Sequence, residues 1–117
     1  WLNDDQPFLM NTETLGGGRM VALPFGGELH DKGAFNRRGA TPDDYTDMLV
    51  RAFDTLYREG AGSGRVMAIP IHPFVIGVPH RIGALEAALE HIRAFDGAWC
   101  TTADDIVAAY VAGDPKV

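Results

Sequence analysis

The sequence predicts an α/β fold in which short buried strands alternate with amphipathic helices. Three observations carry this. Apolar runs of strand length occur at residues 20–25, 65–71 and 98–101, each flanked by glycine or proline on at least one side. Each run precedes a segment whose apolar residues recur at helical spacing. Two of those helical segments open on a threonine suited to the cap position, and all three run into a glycine. Strand then helix, three times over, is the pattern of a parallel sheet or barrel with helices outside. Three strands cannot close a barrel, and an open parallel sheet of three leaves buried-type edges bare. The expectation is a fold left incomplete by this chain alone.

Residues 1–19 read as loop, with turn formers at Asn3, Asp4, Asp5 and Pro7 and a break at Gly16-Gly17-Gly18. The triple glycine is not followed by Gly-Lys-Ser/Thr, so it reads as a turn and not as a phosphate cradle. The first strand is expected over Met20 to Phe25, stopped by Pro24 and Gly26-Gly27. Residues 26–40 form a polar connection. The clearest helix runs from Thr41 to Glu59. Thr41 suits its cap, Pro42 its first turn, and Asp43 and Asp44 the positive end of its dipole. Tyr45, Met48, Leu49, Ala52, Phe53, Leu56 and Tyr57 share one stripe, read as a core face. A second strand is expected over Arg65 to Ile71, irregular near Pro70, which lacks a ladder donor. Residues 72–79 read as loop. A helix over His80 to Phe95 presents Ile82, Leu85, Leu89 and Ile92, and a third strand follows over Ala98 to Thr101. Thr102, with Asp105 in capping-box position, opens a last helix to about Val111, ended by Gly113 and Pro115.

The bulk numbers set limits. The chain has 117 residues, enough for one domain, and a net charge of −6 with its basic residues scattered. An acidic chain without a basic patch is a poor partner for nucleic acid. No apolar run reaches the roughly 18 residues of a membrane helix. The N-terminal residues show no basic flank followed by an apolar stretch, so the cytoplasm is the default compartment, although the chain starts at Trp1 and a targeting segment could precede it. A lone cysteine, Cys100, cannot form an internal disulfide; beside Trp99 it reads as a small core residue.

In α/β folds the reacting groups sit at the C-terminal ends of strands. That rule selects Glu28, His30 and Asp31 after the first strand and His72 at the end of the second. An imidazole at a strand tip can act as general acid or base near neutral pH; the alternative is a histidine satisfied by backbone bonds in a loop. Glu28 and Asp31 either meet substrate or orient His72, or are simply solvated. His30 has no pattern behind it. Arg81 sits at a helix start, where the dipole disfavours a cation, so it is either a structural clamp or a solvated side chain. The histidines at 30, 72, 80 and 91 show no close pair at ligand spacing, so no metal ligands are assigned, and no Gly-x-Ser-x-Gly elbow occurs.

The block from His72 through Pro73-Phe74-Val75-Ile76-Gly77-Val78-Pro79 to His80-Arg81 carries a resemblance, together with Ala84-Leu85-Glu86, Gly97-Ala98-Trp99 and the stretch from Thr102 to Tyr110. These residues resemble the C-terminal portion of the polysaccharide deacetylases, nearest the branch that includes the cofactor-independent allantoinases. The segments from Trp1 to Phe8 and from Leu23 to Asp31 are similar to the same branch, and the resemblance covers nearly the whole chain. It implies the C-terminal part, about three βα units, of a distorted seven-stranded (β/α) barrel. It implies a hydrolase of non-peptide carbon–nitrogen amide bonds, typically one removing acetyl groups from N-acetylated sugars, with His72 as the acid that protonates the leaving amine. Glu28 and Asp31 match polar positions of substrate-side or supporting role. The family pattern has asparagine where this chain has His30. The family's Asp-Asp motif, His-x-x-x-His metal pair and catalytic arginine lie upstream of these residues. A divalent metal is therefore possible in a full-length protein with none held here, and the fragment alone is expected to be inactive.

Two other readings stay open at this point: a metal-independent small-amide hydrolase of the allantoinase type, and a non-catalytic truncated barrel module. The partners expected are a small-molecule or N-acylated sugar substrate and the N-terminal barrel half. A stand-alone chain with open sheet edges would also self-associate as a homo-oligomer.

Overall fold

The computed structural model describes residues 4–113. The segments before and after, including Trp1 to Asn3 of the resemblance and Pro115 at the expected helix end, lie outside the described residues. The chain is mixed helix and sheet. Its strands are β1 (Phe8–Met10) and β2 (Met20–Ala22), and its α-helices are α1 (Pro42–Glu59), α2 (Pro73–Ile76), α3 (Ile82–Arg93) and α4 (Ala103–Ala112).

β1 and β2 pair antiparallel, with Phe8 opposite Ala22, Leu9 opposite Val21 and Met10 opposite Met20. This corrects two expectations. Residues 8–10 are strand and not loop, and the first strand stops at Ala22 and joins a hairpin instead of a parallel sheet. The connecting glycines explain the hairpin. Gly16, Gly17 and Gly18 all take positive φ, which side chains disfavour, and the Thr12 hydroxyl donates to the Gly18 carbonyl at 2.5 Å across the loop.

The strands expected at 65–71 and 98–101 form no ladder among the described residues. The physical reason is the absence of neighbours. A parallel strand needs another strand beside it, and these segments find only isolated bonds: Val66 N–H donates to the Asp5 carbonyl at 2.8 Å, and the Pro70 carbonyl accepts from Asp31 N–H at 3.3 Å. The same lack of cover overturns the reading of Cys100 as a core residue. It is exposed, and Trp99 beside it is 63% exposed.

The helices follow their caps. The Thr41 hydroxyl accepts from Asp44 N–H at 3.1 Å while the Asp44 carboxylate accepts from Thr41 N–H at 2.8 Å. The Thr41 hydroxyl also donates to that carboxylate at 2.7 Å, and this bond first, then the one from Thr41 N–H, hold the Asp44 carboxyl below its usual range. α4 is capped likewise by Thr102. α1 packs on α3. α1 buries Tyr45, Leu49 and Phe53 of its expected stripe, whereas Tyr57 at the end of that stripe is exposed. α3 buries Ala84, Leu85, Ala88 and Ile92, a face rotated from the expected one, and Leu89 is left 39% exposed. The small Ala84 and Ala88 let the helices approach closely, and the Thr46 hydroxyl donates to the Ala84 carbonyl at 3.1 Å across the contact. Further along the pair, the His91 ring meets the Asp54 carboxylate at 2.7 Å, over the aromatic rings of Phe53 and Phe95.

Two of the short helical elements absent from the sequence reading lie around the candidate site. Residues 33–37 form a π-helical turn that buries Ala34 and Phe35 in the core with Tyr45 and Leu49. The expected loop 72–79 contains α2, with Pro73 at its first position and His72 as its cap residue. Val75 and Ile76 of α2 are buried, and they tie the segment after His72 to the core.

Candidate acid–base site

His72 lies at the junction between residues 65–71 and α2. Its backbone is extended, its carbonyl accepts from Val75 N–H at 2.8 Å and Ile76 N–H at 3.1 Å, and Pro73 fixes the first turn. The imidazole therefore stands on a rigid base. Its side chain is 33% exposed.

Asp31 reaches it from 41 residues earlier in the chain. Asp31 is fully buried, with 0% exposure, and every bond the structure gives its carboxylate is an N–H. Oδ2 accepts from His72 N–H at 2.7 Å. Oδ1 accepts from Lys32 N–H at 2.6 Å and faces Nδ1 of His72 at 2.8 Å. Burial pushes the carboxyl upward, but the bonds from the His72 backbone and ring, the Lys32 N–H and the charge of the ring outweigh it. The net is a carboxyl below the usual aspartate range. Since a carboxylate can only accept, Nδ1 of His72 carries the proton and Nε2 is the ring atom left to act.

His30 completes the cluster. Its ring lies edge-on to His72, with centroids 4.8 Å apart and planes at 73°. Its Nδ1 accepts from Gly33 N–H at 3.0 Å and its carbonyl from Ala34 N–H at 3.0 Å, so the residue caps the π-helical turn. On the other side of His72 stands Phe74, 71% exposed, with ring centroids 5.4 Å apart.

The remaining candidates fall elsewhere. Glu28 is outside this cluster. It lines a cleft of about 430 Å³ with Phe25, Leu29 and Met67, and its carbonyl accepts from Arg38 Nη2 at 2.6 Å. Arg81 places its guanidinium 4.6 Å from the Phe35 ring centroid and donates from Nη1 to the Val75 carbonyl at 3.2 Å. It joins α2 to the π-helical turn and so braces the two segments that carry His72 and Asp31.

His30, Asp31 and His72 each offer an atom within 4.8 Å of the others, which raises the question of a metal. The hydrogen bonds do not fit one. A ligating imidazole gives one nitrogen lone pair to the ion and donates from the other nitrogen. His72 meets that pattern through Nε2. The Nδ1 lone pair of His30 is taken by Gly33 N–H, and both Asp31 oxygens already hold N–H donors. With the His30 lone pair taken, His72 Nε2 and one remaining lone pair on Asp31 Oδ2 are too few for a resident cation site.

Comparison with known proteins gives the site its context. No family model matches the chain. A curated protein of Schizosaccharomyces pombe (strain 972 / ATCC 24843), named "Putative polysaccharide deacetylase", is 33% identical over 98 residues, which is 82% of this chain and 31% of that protein. The crystal structure of Puue allantoinase superposes with a TM-score of 0.88 at 30% identity, over 98% of this chain and 38% of that one. The chain is related to the polysaccharide deacetylases, on their allantoinase-like side. The crystal structure of a "probable Polysaccharide deacetylase" from Pseudomonas aeruginosa PAO1 gives a TM-score of 0.85 at 25% identity, over 98% of this chain and 38% of that one. The chain thus spans about a third of the length of each of these relatives. Sequence reasoning placed His30 among the residues after the first strand but gave it no role in the cluster. The available signal was its position next to Asp31, where the family pattern carries asparagine.

Proposed function

We propose that this chain carries the acid side of a hydrolase that cleaves non-peptide carbon–nitrogen amide bonds, with His72 as its catalytic acid and Asp31 as the residue that orients it. The observation that carries the reading is the Asp31–His72 pair: a buried carboxylate that holds this residue by two bonds, at ring Nδ1 and at the backbone N–H, and leaves Nε2 of a partly exposed side chain outside that pairing. In amide hydrolysis water adds to the carbonyl carbon, the C–N bond breaks, and the nitrogen leaves as a neutral amine only if it takes a proton. His72 Nε2–H supplies that proton, and Asp31 stabilises the imidazolium that must form first. We assign the base that activates water, and any divalent cation, to the rest of a larger (β/α) barrel of which these residues are the C-terminal part. The partial coverage of the relatives at high TM-score supports that assignment. The substrate class is a small N-acylated compound, either an N-acetylated sugar or a small amide of the kind the allantoinase name implies.

The test is turnover by the complete polypeptide, assayed as acetate release from N-acetylated sugar oligomers and as ring opening of allantoin. His72→Gln is expected to lower kcat by about 100- to 10,000-fold with little change in fold. Turnover that survives this substitution would remove His72 from the chemistry, and no turnover of any amide by the parent would leave a non-catalytic module.

A further inference from the structure

His30 shows a hydrogen-bond direction opposite to that of His72. Gly33 N–H donates to its Nδ1 at 3.0 Å, so in the neutral ring the proton sits on Nε2. In His72 the proton sits on Nδ1, opposite Asp31. The two rings are held side by side by unrelated segments, His30 by the turn it caps and His72 by α2. One ring therefore offers a fixed N–H donor beside the nitrogen through which the other exchanges its proton. His30 is half-buried, and its backbone leaves the preceding turn in extended conformation.

We propose that His30 is a substrate-binding residue whose Nε2–H donates to the carbonyl oxygen of the same amide group whose nitrogen meets His72. This rests on the hydrolase reading above and deepens it. An amide presents its oxygen and nitrogen roughly 2.2 Å apart, from C=O and C–N lengths of about 1.23 and 1.33 Å. Two rings with centroids 4.8 Å apart are close enough to engage both ends of such a group at once. Charge builds on the oxygen as water adds, so a donor aimed there strengthens in the transition state. The ligand chemistry selected is a compact amide with its carbonyl accessible beside the scissile nitrogen.

Two substitutions separate the donor from the cap. His30→Asn keeps an acceptor for Gly33 N–H and an N–H donor. His30→Asp keeps the acceptor and removes the donor. In the complete polypeptide, kcat is expected to stay within several-fold of the parent for His30→Asn and to fall on the order of 100-fold for His30→Asp. The ¹⁵N shifts of histidine-labelled protein should show His30 unprotonated at Nδ1, a readout independent of turnover. A His30→Asp variant as active as His30→Asn, or a neutral His30 ring protonated at Nδ1, overturns the donor role while leaving the hydrolase reading intact. A parent inactive on every amide removes that reading and this one with it.

Discussion

Replacing Asp31 by asparagine changes the shape of the side chain very little, so its effect isolates the hydrogen bonds. The carboxylate accepts three: from His72 N–H at 2.7 Å through Oδ2, and from Lys32 N–H at 2.6 Å and His72 Nδ1 at 2.8 Å through Oδ1. An amide has one oxygen. Turned toward Lys32 and the His72 ring, it sets its NH₂ against the His72 backbone N–H, donor against donor. Turned the other way, it restores that bond and faces its NH₂ at the two remaining donors. Either way at least one bond to a charged acceptor is lost, about 1.5–3 kcal/mol, and a donor is left without an acceptor inside the fold, about 1–3 kcal/mol. These overlap, and roughly 2–4 kcal/mol is expected. That is a large share of the 5–15 kcal/mol typical of a domain. In urea, at about 1–3 kcal/mol per molar, the midpoint should fall by roughly 1–2 M with the slope unchanged. The ring gives a second readout. If the asparagine NH₂ faces Nδ1, His72 moves its proton to Nε2, which ¹⁵N shifts detect. An unchanged midpoint together with an unchanged His72 tautomer would refute the claim that Asp31 holds this ring.

Two further outcomes follow from the same residues. The Asp31 carboxyl titrates below its usual value of 3.8, so its contribution is fully present above that value and is lost as pH falls through the depressed native value. Denaturant midpoints taken from neutral pH to below 3 should show this acid loss in the parent and less of it in Asp31→Asn, and equal slopes would count against it. Burial first, and then the negative charge of Asp31, push the Tyr45 hydroxyl up from 10.0 to about 12. For a phenol raised in this way the stability is present below about pH 10 and is lost as pH rises toward 12. Tyr45→Phe should remove that alkaline loss and cost about 1 kcal/mol at neutral pH through the bond to the Leu29 carbonyl, 3.1 Å in the parent. A variant more stable than the parent at pH 7 would exclude that bond as a stabilising contact.

The local structure was legible where its cause is local. The α1 caps, its buried stripe and the turn at Gly16 to Gly18 each depend on residues a few positions apart, and the sequence displays them. Expectations failed where the cause is a neighbour. Arg65 to Ile71 and Ala98 to Thr101 have strand composition, but a ladder is a property of two segments, and among the described residues no second strand lies beside either. The α3 face was misread for the same reason: helical spacing allows several stripes, and the close approach of α1 selects the one with Ala84 and Ala88. α2 was hidden by its length of four residues, too short to show a period.

The candidate site divides along the same line, and this bears on how its parts should be weighed. His72 could be selected from its place after an apolar run followed by proline, because that place is encoded locally. Its partner could not be ranked above Glu28, since both are carboxylates in one loop and only the fold brings Asp31, and not Glu28, against the ring. His30 could be placed in the loop but given no role, because its role lies in a bond direction: it accepts from Gly33 N–H through Nδ1, and that bond decides which ring nitrogen keeps the proton. A buried aspartate that takes only N–H donors, bonded to one of two adjacent imidazoles protonated at opposite nitrogens, is more order than a merely solvated loop requires. The arrangement supports the proposed proton transfer at His72, because the same carboxylate that holds the backbone of that residue also fixes the tautomer of its ring.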